Sequence, residues 1–377
     1  MTLVERRVLV SPDRGVVGGF WQRHEDTAHG YLFLAPFLAV YAVFLIFPLL
    51  KGVWISLHDW NLMAVAFNPD AKEYVGLENF RFLWGRDMIW GLEQLWDLRA
   101  VILIATLILW YLVWRGAVTY RAAAWTSVAA VFLFVALGFH PDEGGRWFDR
   151  RFWPIVGNTF VFMGLTVPGV VAVGLALAIA LNRPTRMMAA FRTVFFLSHV
   201  LSVAVVTLMW SFIFNPRQGI IAHITRMFGG EPVVWLTDQY LAMPSIVIAT
   251  IWWSVGFAMV IFLAGLQAIP EERYEAAKLD GAGSWALFRH ITIPGLRRPL
   301  VLVIVLQTIA HFQVFGQSAL MTQGGPNDVT QVLVRYIYQT GFRDSELGSA
   351  AALSLFLFAV MLVFALVQLR LSRSEAE

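Results

Sequence analysis

The stretch Gln239–Pro270, QYLAMPSIVIATIWWSVGFAMVIFLAGLQAIP, holds no charged residue. It outruns the roughly 20 residues that a helix rising about 1.5 Å per residue needs to cross about 30 Å of hydrocarbon. Directly after it comes a polar, charge-mixed segment, PEERYEAAKLDGAGSWALFRHITIPG (Pro270–Gly295), and then a second uncharged run, Pro299–Asn327. Two membrane-length runs joined by a loop that must meet water or a soluble partner is the motif around which the chain is organised. Further uncharged runs lie at Tyr31–Leu50, Phe152–Asn182, Thr193–Pro216 and Leu347–Leu369. Hydrophobic residues make up 58% of the 377 and charged residues 14%, far from a soluble domain. The fold class is all-α, a polytopic membrane helical bundle.

Two weaker runs, Ala100–Trp114 and Ala122–Phe139, sit close together. The first is short for a span, with Arg99 and Arg115 placed to snorkel at its ends. Read as a crossing hairpin, the pair raises the expected count from six helices to about eight without changing parity.

Arginines cluster at helix ends, so the pI near 9.3 speaks of orientation in a bilayer and gives no reason to invoke nucleic acid. Arg6, Arg7, Arg14 and Arg23 precede the first run; Arg183, Arg186 and Arg192 follow the Phe152 run; Arg370 and Arg373 follow the last. The positive-inside rule then puts both termini and the Pro270–Gly295 loop in the cytoplasm. Residues 1–29 read as a cytoplasmic N-terminal segment without a signal-cleavage site, 30–371 as the transmembrane domain with 270–298 as its cytoplasmic loop, and 372–377 as a cytoplasmic tail. The chain has no cysteine, which excludes disulfides, thiolate metal sites and cysteine nucleophiles.

Within the loop, Pro270 suits a first helical turn, and Glu271 and Glu272 complement the helix dipole. Gly281 and Gly283 supply a stop, Ser284 is a candidate cap for a second short helix through Arg289, and Pro294 is a candidate end. Small residues Ala276, Ala277, Gly281 and Ala282 leave a slim ridge that suits a groove on another protein.

Glu275-Ala276-Ala277 followed by Asp280-Gly281-Ala282, Ile291 and Pro294 resembles the "EAA" loop of bacterial ABC-importer permeases. Other matches are Thr322-Gln323-Gly324-Gly325-Pro326 with Thr330, Gly76-Leu77-Glu78-Asn79-Phe80 with Asn158-Thr159, and Phe191-Arg192-Thr193 with Asn215-Pro216. Together they are similar to the first of the paired permeases in carbohydrate importers of the maltose and glycerol-phosphate type. The resemblance implies a six-helix importer core in the inner membrane. It implies as partners a second homologous permease, an ATPase dimer docked on Glu275, Ala276, Ala277, Asp280, Gly281 and Ala282, and an extracytoplasmic solute-binding protein. The chain departs from the family in two places. Ser198 and Val203 stand where prolines are usual, removing the ordinary cause of a kink there, and roughly sixty extra residues at about 85–150 contain the hairpin.

No Gly-x-x-x-x-Gly-Lys-[Ser/Thr] phosphate loop occurs, so the chain is not expected to be an enzyme; ATP and Mg would belong to partner subunits, with no cofactor or metal of its own. Polar groups inside apolar helices mark candidate substrate contacts, because unpaired polar groups in hydrocarbon are costly. Gln307, His311, Phe315 and Ser318 recur at spacings of four, four and three, and Gln313 and Gln317 lie on the adjacent face. Ser254 and Phe257 sit mid-run in the preceding helix; the resemblance to the maltose permease implies sugar contacts at Gln307, His311, Ser254 and Phe257. The bland reading is helix–helix hydrogen bonding, and Trp253 is expected to face lipid or core. The neutral donors and flat aromatic faces suit an uncharged di- or oligosaccharide better than a phosphorylated solute. A secondary transporter or channel is the alternative, but intramembrane acids or lysines for ion coupling are missing from the main runs.

Overall fold

The computed structural model describes residues 33–83, 86–90, 96–115, 119–137, 139–146 and 149–373. The N-terminal segment 1–29, with Arg6, Arg7, Arg14 and Arg23, lies outside them. In chain order the elements are α1 (Phe33–Ser56), β1 (His58–Asp59), α2 (Leu62–Phe67), β2 (Glu73–Tyr74), β3 (Arg86–Trp90), α3 (Trp96–Trp114), α4 (Tyr120–Ala136) and β4 (Phe139–Arg146). They continue with α5 (Phe152–Ala180), α6 (Arg186–Val200), α7 (Val203–Ile213), α8 (Ile220–Met227), α9 (Ala242–Gln267) and α10 (Glu271–Leu279). The last are α11 (Ser284–Gly295), α12 (Arg297–Phe312), α13 (Leu333–Tyr338) and α14 (Leu347–Arg373).

Among the described residues, four helices are long and apolar enough to cross a membrane: α1, α5, α9 and α14. Two bent pairs, α6–α7 and α11–α12, bring the number to six if each is one span. α1 belongs to a compact unit of its own ending at Ile55; everything described below lies in the second unit, from Ser56 onward.

α5 and α9 pack along each other at the centre of this second unit. Small residues set how close they come: a Cβ on Gly174 would stand 2.9 Å from the Ala258 Cβ. On α9, a Cβ on Gly256 would overlap the Phe195 carbonyl oxygen, so α6 also lies backbone-to-backbone against α9. This is how membrane helices associate where apolar side chains gain nothing by leaving lipid. Val170, Ala178, Ala258, Met259, Phe262 and Val303 bury one core cluster between α5, α9 and α12. Phe162, Phe214, Ile246, Val314 and Val332 form a second.

The α6–α7 element breaks by 103° despite lacking proline. The cause is capping. Ser202 caps α7 by accepting from the Val205 N–H. The Ser198 hydroxyl donates to the carbonyls of Phe195 (2.7 Å) and Trp252 (3.2 Å). Trp253 Nε1 donates to the Leu201 carbonyl at 3.0 Å, so α9 holds the free end of α6. Side-chain oxygens satisfy terminal groups that would otherwise need the next helical turn.

The extra residues fold as an antiparallel ribbon, β3 with β4 in the register Ile89↔His140 and Trp90↔Phe139, leading into the α3–α4 hairpin. In the hairpin Trp110 Nε1 donates to Ser127 Oγ at 2.9 Å, and the Trp110 and Tyr120 rings meet edge to face at 5.7 Å. Arg99 does not snorkel outward: its guanidinium lies 4.2 Å from the centre of the Phe134 ring, fully buried.

Candidate functional site

Two features bear on function. The first is the loop after α9. α10 begins just after Pro270, which is its N-cap and stands outside the helix, and Glu271 and Glu272 occupy its first turn. It ends at Gly281, whose φ of +80° is the left-handed conformation that glycine adopts at little cost. The Gly281 N–H donates to Lys278 O at 3.0 Å and the Ala282 N–H to Ala277 O at 2.9 Å, a Schellman-type stop.

The second helix of the loop differs from expectation. Gly283 holds the N-cap position and Ser284 is the first helical residue, without a capping bond. Pro294 does not end the helix, because a wide turn over Phe288–Thr292 precedes it and Pro294 falls at the start of a new turn. The chain bends 65° at buried Leu296 instead. Tyr274 and Thr292 hydroxyls meet at 3.0 Å and tie α10 to α11. The hairpin therefore presents Glu275, Ala276, Asp280 and Gly281 to solvent, with Ala277 and Ala282 half-buried beneath. Leu279 is 89% exposed and Trp285 70%, an apolar pair on a polar ridge. Glu275 makes no ion pair among the described residues.

The second feature is a cavity of about 560 Å³ between α9, α12 and the broken α6–α7 element. Gln307 and His311 from α12, Ser254 and Phe257 from α9, and Phe315 just beyond α12 all line it. Ser318 does not: it is fully buried, its hydroxyl donating to Thr330 O at 2.5 Å inside the 318–330 loop. Its helical spacing from Phe315 misled because α12 stops at Phe312 and the chain turns. Trp253 lines the cavity, contrary to its expected placement against lipid or core. His199, not among the residues singled out from the sequence, stacks on Phe257 with ring centroids 5.2 Å apart and also lines it. Its one available signal was an imidazole beside Ser198 in an uncharged run. Gln313 and Gln317 complete the polar wall.

Buried ring nitrogens His199 Nδ1 and His311 Nε2 have no hydrogen-bond partner among the described residues. No Asp, Glu, Lys or Arg lines the cavity. Its chemistry is thus amide, imidazole and hydroxyl groups beside aromatic faces, able to exchange hydrogen bonds with a neutral polyhydroxylated molecule.

The glycine-rich loop is fastened to the start of α5. Asn158 Nδ2 donates to the carbonyls of Asp328 (2.8 Å) and Gln331 (3.2 Å). The Leu333 N–H donates to Thr159 Oγ1 at 2.9 Å. Two segments quoted separately from the sequence, Asn158-Thr159 and the Thr322–Thr330 loop, are one contact.

Residues 170–376 match the family described as binding-protein-dependent transport system inner membrane component. The chain belongs to this family. A probable ABC transporter permease of Pyrococcus horikoshii is 32% identical over 269 residues, 71% of this chain and 90% of that one. The trehalose/maltose transport system permease protein MalF of Thermococcus litoralis is 28% identical over 355 residues, 93% and 96% of the two chains. In fold, the permease is similar to a chain of a bacterial ABC transporter involved in the import of the acidic polysaccharide alginate. The TM-score is 0.66 at 20% identity, covering 95% of this chain and 99% of that one. The chain is accordingly a multi-pass membrane transport component, and a secondary transporter or channel is not the favoured reading.

Proposed function

We propose that this permease is one of two homologous membrane subunits of an ATP-driven importer that moves a neutral di- or oligosaccharide from an extracytoplasmic solute-binding protein to the cytoplasm. ATP and Mg are held by a separate ATPase dimer. Both termini and the α10–α11 hairpin face the cytoplasm, following the arginine distribution. Glu275 through Gly283 enters a groove of the ATPase, with Glu275 available for a basic partner and Leu279 and Trp285 available for apolar contact.

The observation that carries the substrate class is the uncharged cavity wall of Gln307, His311, Ser254 and Phe257. A phosphorylated solute in a low-dielectric site needs a cation, and this wall supplies none. Sugar hydroxyls need hydrogen bonds and sugar C–H faces pack on aromatic rings, which this wall does supply. The test is uptake by the reconstituted importer carrying Gln307→Ala or His311→Ala. Both should lose uptake while the loaded binding protein still stimulates ATP hydrolysis. Wild-type uptake in both variants removes the residues from the site, and transport restricted to phosphorylated solutes overturns the substrate class.

A further inference from the structure

A second cavity, about 690 Å³ and larger than the first, opens between the loop after α1 and the start of α14. Its wall includes Asp59, Glu78, Asp149, Asp344 and Glu346, against two arginines, Arg81 and Arg151. Neither arginine neutralises the excess. Arg81 pairs with Glu78 at 2.7 Å, and Arg151 pairs with Asp328 outside the cleft at 3.1 Å. Asp149 is engaged as a cap, accepting from the N–H groups of Arg151 (2.7 Å) and Phe152 (2.9 Å). That leaves the carboxylates of Asp59, Asp344 and Glu346 with no ion pair or hydrogen bond among the described residues.

The floor of the cleft is also unsatisfied. Thr340 is only 6% exposed, yet its hydroxyl has no partner among the described residues. Nor does the hydroxyl of half-buried Tyr336, whose phenol pKa is raised by burial and by Asp149, Asp344 and Glu346 against the opposing pull of Arg151, whose guanidinium lies 5.5 Å from the centre of its ring. A side chain as buried as Thr340 ordinarily has its hydroxyl paired, so this hydroxyl, at the wall of the cleft, marks a place for a donor from another molecule. Three free carboxylates in the same wall make that donor cationic.

Position bears on which side of the membrane it meets. Asp149 and Arg151 stand at the first turn of α5, whereas the other end of α5 reaches Leu181, which packs in one cluster with Leu266 and Leu296 beside the α10–α11 hairpin. A 29-residue helix is about 43 Å long. The cleft and the hairpin therefore lie at opposite ends of the bundle.

We propose that this cleft is a docking socket for lysine or arginine side chains projecting from the extracytoplasmic solute-binding protein. The inference rests on the importer reading above, because it places the hairpin inside and the cleft outside. An ammonium or guanidinium group seated there meets Asp344 and Glu346 at the rim and the hydroxyls of Thr340 and Tyr336 within. Attraction between unlike charges speeds encounter and fixes register more than it adds raw affinity.

Two measurements test it. The purified chain in nanodiscs is titrated with decalysine, comparing the wild type with the exposed pair Asp344→Asn and Glu346→Gln. Binding should weaken by about tenfold in the double variant and fall with salt in the wild type. Equal binding by both overturns the socket, whether or not the chain is an importer. The assembled transporter is then titrated with its own solute-binding protein. The double variant should raise the concentration needed for half-maximal ATPase stimulation about tenfold and flatten its salt dependence, with basal ATP hydrolysis unchanged. Loss of decalysine binding with no change in this titration overturns the choice of partner. Displacement of decalysine by the transported sugar overturns it too, assigning the cleft to sugar. A wild-type transporter that no binding protein stimulates refutes the importer reading and, with it, the choice of partner, while the decalysine result still decides the socket.

Discussion

Replacing Gly281 isolates the role of backbone geometry in the α10–α11 hairpin. A Cβ at this position meets nothing within 4 Å, so no steric clash inside the chain is involved. The whole intramolecular cost comes from φ = +80°, about 1–2 kcal/mol for an ordinary L-residue. α10 has only nine residues, too few to persist alone, so its stop and the path to Gly283 depend on that turn. A cost of one to two kcal/mol lowers the ratio of native to open hairpin by a factor of about 5–30, which tells most on a hairpin this short and marginal. Gly281→Leu should therefore cut ATPase co-purification and proteoliposome uptake about tenfold or more, since Leu also projects a bulky group at the partner. Gly281→Asn, which tolerates the left-handed region, should retain most of both. Membrane insertion of the chain should be unaffected. Full coupling in Gly281→Leu would refute the docking role; an Asn variant as defective as Leu would refute the backbone argument and assign the defect to bulk alone.

Other expectations follow from packing and topology. Gly256→Ala forces a methyl against the Phe195 carbonyl and should lower stability by about 1–3 kcal/mol, read as a reduced melting temperature in detergent. Ser202→Ala removes the cap of α7 and should cost about 1 kcal/mol in the same assay, whereas Val205→Ile on the exposed face of that helix should change little. Because the chain lacks cysteine, Thr119→Cys and Asn327→Cys report sidedness with an impermeant thiol reagent in intact cells. Position 327 should label and position 119 should not; labelling at 119 would show that the α3–α4 hairpin does not cross.

What the sequence disclosed was whatever depends on runs of one polarity or on a local motif. Four membrane-length helices, six with the two bent pairs counted as spans, the glycine stop at Gly281 and the polar residues Gln307 and His311 were all legible because each is fixed within a few turns. The β3–β4 ribbon was not, since its register joins Ile89 to His140 across some fifty residues and no local pattern announces it. Ser318 was misassigned by extrapolating helical spacing past Phe312, where α12 ends. His199 and Trp253 were missed as cavity residues because their relevance comes from a bend between α6 and α7, and that bend arises from contacts with α9, remote in sequence.

That bend carries a mechanical consequence. A helix kinked at proline can never close its hydrogen-bond ladder at the kink, because the ring lacks the N–H that closure requires. Here Ser198, Leu201, Ser202 and Val203 all keep theirs. The elbow is held by exchangeable clasps, Ser202 on Val205 and Trp253 on Leu201, each of which can be released and replaced by an ordinary helical bond. A proline elbow is a fixed joint; this one is a latch, and the side chains that fasten it sit at the cavity wall, Trp253 lining it and Ser202 standing next to Val203, which lines it too.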